Sequence, residues 1–171
     1  RIAEESMVLL KNADQILPLK ASEKVAFVGG FAKKPRFQGG GSSHINCFKV
    51  TNAFDSVPSD AQVIYAEGFP ADRDLYDDTL AAEALKTAGN ADKVVIFAGL
   101  PDSFESEGYD RSHMRLPECQ NRLIAEILKV QPNAVIVLHN GSPVEMPWLS
   151  DVKGLLEAYL GGQAGGAAVA N

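Results

Sequence analysis

Val94-Val-Ile-Phe-Ala98, Glu118-Cys-Gln-Asn-Arg-Leu-Ile-Ala-Glu-Ile-Leu-Lys-Val130 and Ala134-Val-Ile-Val-Leu138 follow one another along the chain, and their reading decides the fold. The outer two are short, continuous apolar runs rich in β-branched residues, the pattern of strands buried on both faces. The middle one sets Leu123, Ile124, Ile127 and Leu128 on one side of a 3.6-residue period, which is an amphipathic helix. Strand, helix and strand in this order make a βαβ unit with parallel strands. Leu116-Pro117 gives the helix a sharp start, because proline is tolerated in a first turn where its missing donor is not needed, and Pro132 marks its exit.

The same grammar extends outward. Apolar runs at Val25–Val28, Val63–Tyr65 and Leu155–Leu160 are further predicted strands, and Thr79–Ala88 is a second predicted helix. Alternation of this kind predicts a three-layer α/β/α sandwich around a mostly parallel sheet, flavodoxin-like, formed by residues 1–171 as one domain. The first residues read as a helical pattern with Ile2, Met7, Val8, Leu9 and Leu10 at its apolar positions. The chain begins without Met and closes on a Gly/Ala-rich stretch, so it is expected to be a piece of a longer multidomain protein.

With 171 residues, 46% of them hydrophobic, the chain has enough apolar material for a packed core. Its net charge of −6 supplies no broad cationic field, and Lys33, Lys34 and Arg36 make only a short basic cluster, so nucleic acid is not an expected partner. No apolar run approaches the roughly 20 residues that cross a bilayer, so no membrane partner is expected either. Cys47 and Cys119 are too few for a disulfide framework and read as ordinary thiols. A cytoplasmic setting is the expectation, with secretion left open.

In open α/β sheets, ligands bind beyond the carboxyl ends of the strands. Three segments occupy such positions: Gln38–Asn46, Gly99–Arg115 and His139–Trp148. The second contains Phe104-Glu-Ser-Glu-Gly-Tyr-Asp-Arg111, and from Gly99 to Arg111 it packs four carboxylates, one arginine and two aromatics into a single loop. One of those carboxyls can serve as a general acid, with Asp110 and Arg111 as a structural pair. A solvated acidic loop is the plain alternative.

Gly39-Gly-Gly-Ser-Ser-His44 permits close backbone approach and offers main-chain donors and hydroxyls to an anion or a sugar, or else is a flexible turn. It fits neither the dinucleotide nor the P-loop fingerprint. Ser42, His44 and Asp110, or Cys119 with His139, could be drawn as nucleophilic triads, but no Gly-x-Ser-x-Gly elbow is present and Cys119 falls inside an amphipathic helix. His139 reads as a strand-exit residue, and Trp148 as packing rather than a sugar-stacking platform.

Taken in order, these segments resemble the C-terminal-side α/β sandwich domain of glycoside hydrolase family 3, the β-glucosidases and their relatives. The resemblance spans essentially the whole chain. It rests on Glu5-Ser-Met-Val-Leu-Leu-Lys-Asn12 with Leu17-Pro-Leu19, on the Gly39–Asn46 loop, and on Glu105-Ser-Glu-Gly-Tyr-Asp-Arg111 with Leu116-Pro117 and Gln120. It continues through His139-Asn-Gly-Ser-Pro-Val144, Trp148 and Gly161-Gly-Gln-Ala-Gly-Gly166. Cys47 stands where relatives often carry Pro.

The resemblance implies a retaining exo-acting β-glycosidase that cleaves terminal non-reducing β-glycosides and needs neither cofactor nor metal. An N-terminal barrel of the same polypeptide would carry the aspartate nucleophile, and this domain would lend the acid/base. Glu105 is the expected acid/base, with Glu107 as its rival. Ser42, Ser43 and His44 are expected at the substrate, and Asp110 with Arg111 as structural support. Alone, the domain is expected to be inactive. A reading from another class is a non-catalytic binding or regulatory module on a flavodoxin-like scaffold, its acidic loop serving as a metal site; a family member that has lost hydrolysis is a third.

Overall fold

Six strands carry the architecture: β1 (Val8–Asn12), β2 (Lys24–Val28), β3 (Gln62–Ala66), β4 (Lys93–Gly99), β5 (Ala134–His139) and β6 (Gly154–Glu157). The helices are α1 (Ile2–Ser6), α2 (Ala53–Ser56), α3 (Asp78–Gly89), α4 (Glu118–Val130) and α5 (Gly165–Ala170). The computed structural model describes all residues from Arg1 to Asn171. The sheet order is β1-β6-β5-β4-β2-β3, parallel throughout except for β1, which pairs antiparallel with β6 at one edge.

The predicted mostly parallel α/β sheet is therefore present, and the βαβ unit read from the sequence is its centre. In β4 and β5 every residue after Lys93 is buried. One face of the sheet, with Ala26, Val28, Ile96, Ile136 and Leu138, packs against α3 and α4 through Leu123, Ile124 and Ile127. The other face, with Val25, Phe27, Val95, Phe97, Val135 and Val137, is only partly covered by shorter elements and borders an open cavity of about 900 Å³. None of the residues lining that cavity belongs to the Gly39–Asn46 or Gly99–Arg115 loops.

Helix starts are set by side chains that accept otherwise orphaned N–H groups. Asp77 accepts from the N–H groups of Thr79 (2.9 Å) and Leu80 (3.0 Å) at α3. At α4, proline takes the N-cap position, and Asp74 accepts from the N–H groups of Glu118 (2.9 Å) and Cys119 (2.8 Å) from across the molecule. Trp148 is buried and donates to the Asn121 side chain at 3.0 Å.

Two expectations are corrected. The helical pattern read through Leu10 stops at Ser6, and Val8–Asn12 is a strand, because the free edge of β6 offers backbone partners that a short, exposed helix cannot match; Val8 faces Glu157 and Leu9 faces Leu156. The strand read as Leu155–Leu160 ends at Glu157, whose carboxylate accepts from the Tyr159 N–H at 3.1 Å as Tyr159 turns into the left-handed region at φ 53°.

Candidate active site

The strand order decides which loops meet. β2, β4 and β5 are neighbours, so the segments leaving their carboxyl ends come together above the sheet. These are the three segments singled out in the sequence, now with specific side chains joining them.

Arg36, between β2 and the glycine run, is 5% exposed at its side chain and reaches into the acidic loop. Its Nε donates to Asp102 at 3.0 Å, Nη1 to Leu100 O at 2.9 Å and to the Glu105 carboxylate, and Nη2 to Glu105 O at 2.8 Å. Glu105 is also held from β5's side, accepting from the Gly141 N–H at 2.9 Å. Burial alone would raise the Glu105 carboxyl, but the Ser142 side chain, the Gly141 N–H and Arg36 together hold it below the ordinary carboxylate value. Glu105 is thus an ionised, ion-paired anchor between loops.

Glu107 has the opposite surroundings. It stands at the tip of a tight turn closed by a bridge between Ser106 and Tyr109, with Gly108 at φ +90°. The Tyr109 hydroxyl ties the turn down by donating to Asp102 O at 2.6 Å. The Glu107 carboxylate is exposed and accepts from the Ser42 N–H, and that bond, helped by the Ser42 hydroxyl, lowers its pKa. The glycine run is packed against this turn: a Cβ on Gly40 would lie 2.5 Å from the Ser106 hydroxyl, and one on Gly41 would lie 2.4 Å from the Glu107 Cβ. Side chains there would push the two loops apart.

The other expected site residues are placed as follows. Ser42 meets Glu107, whereas the Ser43 hydroxyl turns into its own loop and donates to Gly40 O at 2.8 Å. His44 uses its backbone N–H on Gly41 O at 3.1 Å, and its ring makes no hydrogen bond. Asp110 and Arg111 do not form the expected pair: Arg111 reaches β5's loop, donating to the Ser142 hydroxyl at 3.0 Å and to Pro143 O, while Asp110 points to solvent. The two side chains diverge because the half-buried arginine follows the Ser142 hydroxyl and the Pro143 carbonyl, and the exposed aspartate stays with water.

Sequence reading missed the role of Arg36, which it counted only in a short basic cluster, and it missed the support beneath β5's loop. There Asn140 donates to Ser142 O at 3.1 Å and to the buried Glu157 carboxylate at 3.3 Å. Burial raises the Glu157 carboxyl, against the Tyr159 N–H and Asn140 bonds that lower it. His139, fully buried between Phe31 and Phe97, is held down to about 4 by that burial. No three His, Cys, Asp or Glu side chains converge in a metal-binding arrangement.

Comparison with known proteins gives this geometry a context. The model of the glycosyl hydrolase family 3 C-terminal domain matches residues 7–171. The chain is 53% identical to the thermostable beta-glucosidase B of Acetivibrio thermocellus, a match covering 99% of this chain and 23% of that protein. It is 43% identical to the exo-alpha-(1->6)-L-arabinopyranosidase of Bifidobacterium longum, over 99% of this chain and 24% of the relative. The crystal structure of the Bifidobacterium adolescentis GH3 beta-glucosidase superposes with a TM-score of 0.93 at 48% identity, covering 98% of this chain and 25% of that one. The chain therefore spans about a quarter of the length of these relatives.

Proposed function

The chain belongs to glycoside hydrolase family 3, as its C-terminal domain, and from that membership we propose that it supplies the general acid/base of a retaining exo-β-glycosidase through Glu107. The nucleophile is an aspartate of an N-terminal barrel in the same polypeptide, docked over the carboxyl ends of β2, β4 and β5. The substrate is a terminal non-reducing β-glycoside. The observation that carries this reading is the contrast between the two glutamates. Glu105 is half-buried and committed to Arg36 and Gly141, whereas Glu107 stands exposed at the tip of a braced turn with only Ser42 on its carboxylate. On this reading Glu105, the expected acid/base, is the anchor of the loop and Glu107, its rival, is the acid/base.

Retaining hydrolysis needs two carboxyl groups about 5 Å apart. In the first half-reaction Glu107 gives its proton to the glycosidic oxygen while the barrel aspartate bonds to the anomeric carbon. In the second, ionised Glu107 takes a proton from the water that attacks this carbon, releasing the sugar with its configuration retained. The domain alone leaves Glu107 in water with its pKa lowered by Ser42. Docking of a barrel removes that water and brings a second carboxylate close by, and both changes raise the pKa toward what an acid requires. Ser42 and the glycine run wall one side of the leaving-group space.

The relatives include a beta-glucosidase and an arabinopyranosidase by name, which fits a division of labour in which the barrel selects the sugar and this domain supplies the proton.

The test uses the full-length enzyme and an aryl β-glycoside. Glu107→Gln lowers turnover by about 10²- to 10⁴-fold and abolishes the basic limb of the kcat/KM pH profile, and azide partly restores turnover as an external nucleophile. Glu105→Gln keeps the basic limb. Exchange of these two outcomes returns the role to Glu105. The 171-residue chain on its own gives no turnover; hydrolysis clearly above background would sink the two-domain scheme.

A further inference from the structure

Arg36 is a charged side chain placed almost out of reach of water, and nothing in the acid/base chemistry uses it directly. Buried charges are costly unless paired and fully hydrogen-bonded. Here every nitrogen of the guanidinium has a partner, and all partners lie between Leu100 and Glu105. The arginine itself sits four residues before Gly40 on the segment that leads into the glycine run. One side chain thus spans the two loops whose meeting places Ser42 against Glu107.

We infer that Arg36, acting through Glu105, is a positioning residue for the acid/base, setting where Glu107 stands relative to the glycine run; this rests on the assignment of Glu107 above. Three observations carry it. Glu105 lies two residues before Glu107, and both its backbone carbonyl and its carboxylate are taken by Arg36, so neither the chain nor the side chain can swing. The second anchor, the Gly141 N–H, comes from β5's loop, where Asn140 and Glu157 fix the turn from below. Asp102 receives Arg36 on its carboxylate and the Tyr109 hydroxyl on its carbonyl, so both ends of the Glu107 turn are tied to the same guanidinium. The resulting brace runs from β2's loop through β4's to β5's.

A positioning role differs from general structural support in what it does to the reaction. Protonation of the leaving oxygen matters for a poor leaving group and hardly at all for one that departs unaided. Misplacing a catalytic group by about 1 Å costs about a hundredfold. In the full-length enzyme, kcat/KM is compared for phenyl and 2,4-dinitrophenyl β-glycosides, with active sites counted by a 2-deoxy-2-fluoro glycoside that traps the nucleophile. Arg36→Met is expected to lower the phenyl substrate by about a hundredfold and the dinitrophenyl substrate by less than about threefold, with the basic limb of the pH profile retained because the acid itself is still present.

Arg36→Lys, which keeps the charge but not the fork of donors, is expected to fall in between, and Glu105→Gln to follow the same leaving-group pattern. If Arg36→Met does not fold, these two variants carry the comparison. Equal losses on both substrates, or no loss on either, would overturn the positioning role. If Glu107→Gln itself shows no dependence on leaving group, it is the assignment of Glu107 that fails, and the two failures are thereby told apart.

Discussion

Replacing Gly41 by alanine tests the loop contact at its tightest point. Gly41 has φ +66°, and a Cβ built there would lie 2.1 Å from Glu107 Oε2, 2.4 Å from its Cβ and 2.9 Å from its Cδ. Two costs follow and they are separable. The left-handed conformation costs an alanine about 1–2 kcal/mol, which appears as lost stability. The overlap is a matter of geometry: ordinary contact begins near 3.4 Å, so the Glu107 Cβ must retreat by about 1 Å. Because Cβ is fixed to its own backbone, the turn held by Tyr109 and Arg36 has to shift away from the glycine run, and it carries the Glu107 carboxylate with it.

A displacement of about 1 Å in a proton donor costs about a hundredfold in rate, or about 2.7 kcal/mol of barrier. The assay is kcat/KM of the full-length enzyme on an aryl β-glycoside, with thermal unfolding measured alongside. Gly162→Ala is the control: Gly162 shares the φ of +66° but nothing lies within 4 Å of its Cβ, so it bears the conformational cost without the displacement. The reasoning is refuted if Gly41→Ala retains activity within about threefold of the parent, or if Gly162→Ala loses as much as Gly41→Ala does.

The fold offers two further measurements on this chain. Gln120 is buried, and its amide bonds Gly99 N and Gly99 O at 3.0 Å each, so Gln120→Leu strands both backbone groups where α4 meets β4. A loss of about 3 kcal/mol and a Tm lower by about 10 °C are expected, and a loss below about 1 kcal/mol in denaturant unfolding would show that the pair is dispensable. His139 is held neutral by burial, at about 4 against an ordinary 6.5, so between those values the unfolded chain binds a proton that the folded chain does not. Its contribution is fully present above pH 6.5 and falls as pH is lowered through that window, by about 2 kcal/mol between pH 7 and pH 5. His139→Phe should flatten that slope in urea titrations; an unaltered slope would assign the acid sensitivity to other groups.

Periodicity made much of the scaffold legible. Continuous apolar runs at β2, β4 and β5 record burial on both faces of a strand, and that is a property of the strand's own residues. The same holds for α4, whose apolar stripe Leu123, Ile124, Ile127 needs no knowledge of its neighbours. β1 was not legible in this way. Val8, Leu9 and Leu10 are exposed in an edge strand, so no burial pattern distinguishes them from a helix, and only the presence of β6 beside them settles their conformation.

The site divides along the same line. The sequence by itself determined that a glycine run, an acidic loop and a His-Asn-Gly-Ser-Pro turn follow three buried strands, and the order of those motifs carried the resemblance to the family. Only the tertiary structure decided what each side chain does. Arg36 and Glu105 are 69 positions apart, and they meet because β2 and β4 are hydrogen-bonded neighbours. Nothing local to Lys33-Lys-Pro-Arg36 distinguishes a buried guanidinium from a solvated one, and nothing local to Glu105-Ser-Glu107 tells which carboxyl is spent on an ion pair. Charge pairing is a long-range property of the chain: it depends on strand order, whereas burial periodicity is written into each strand.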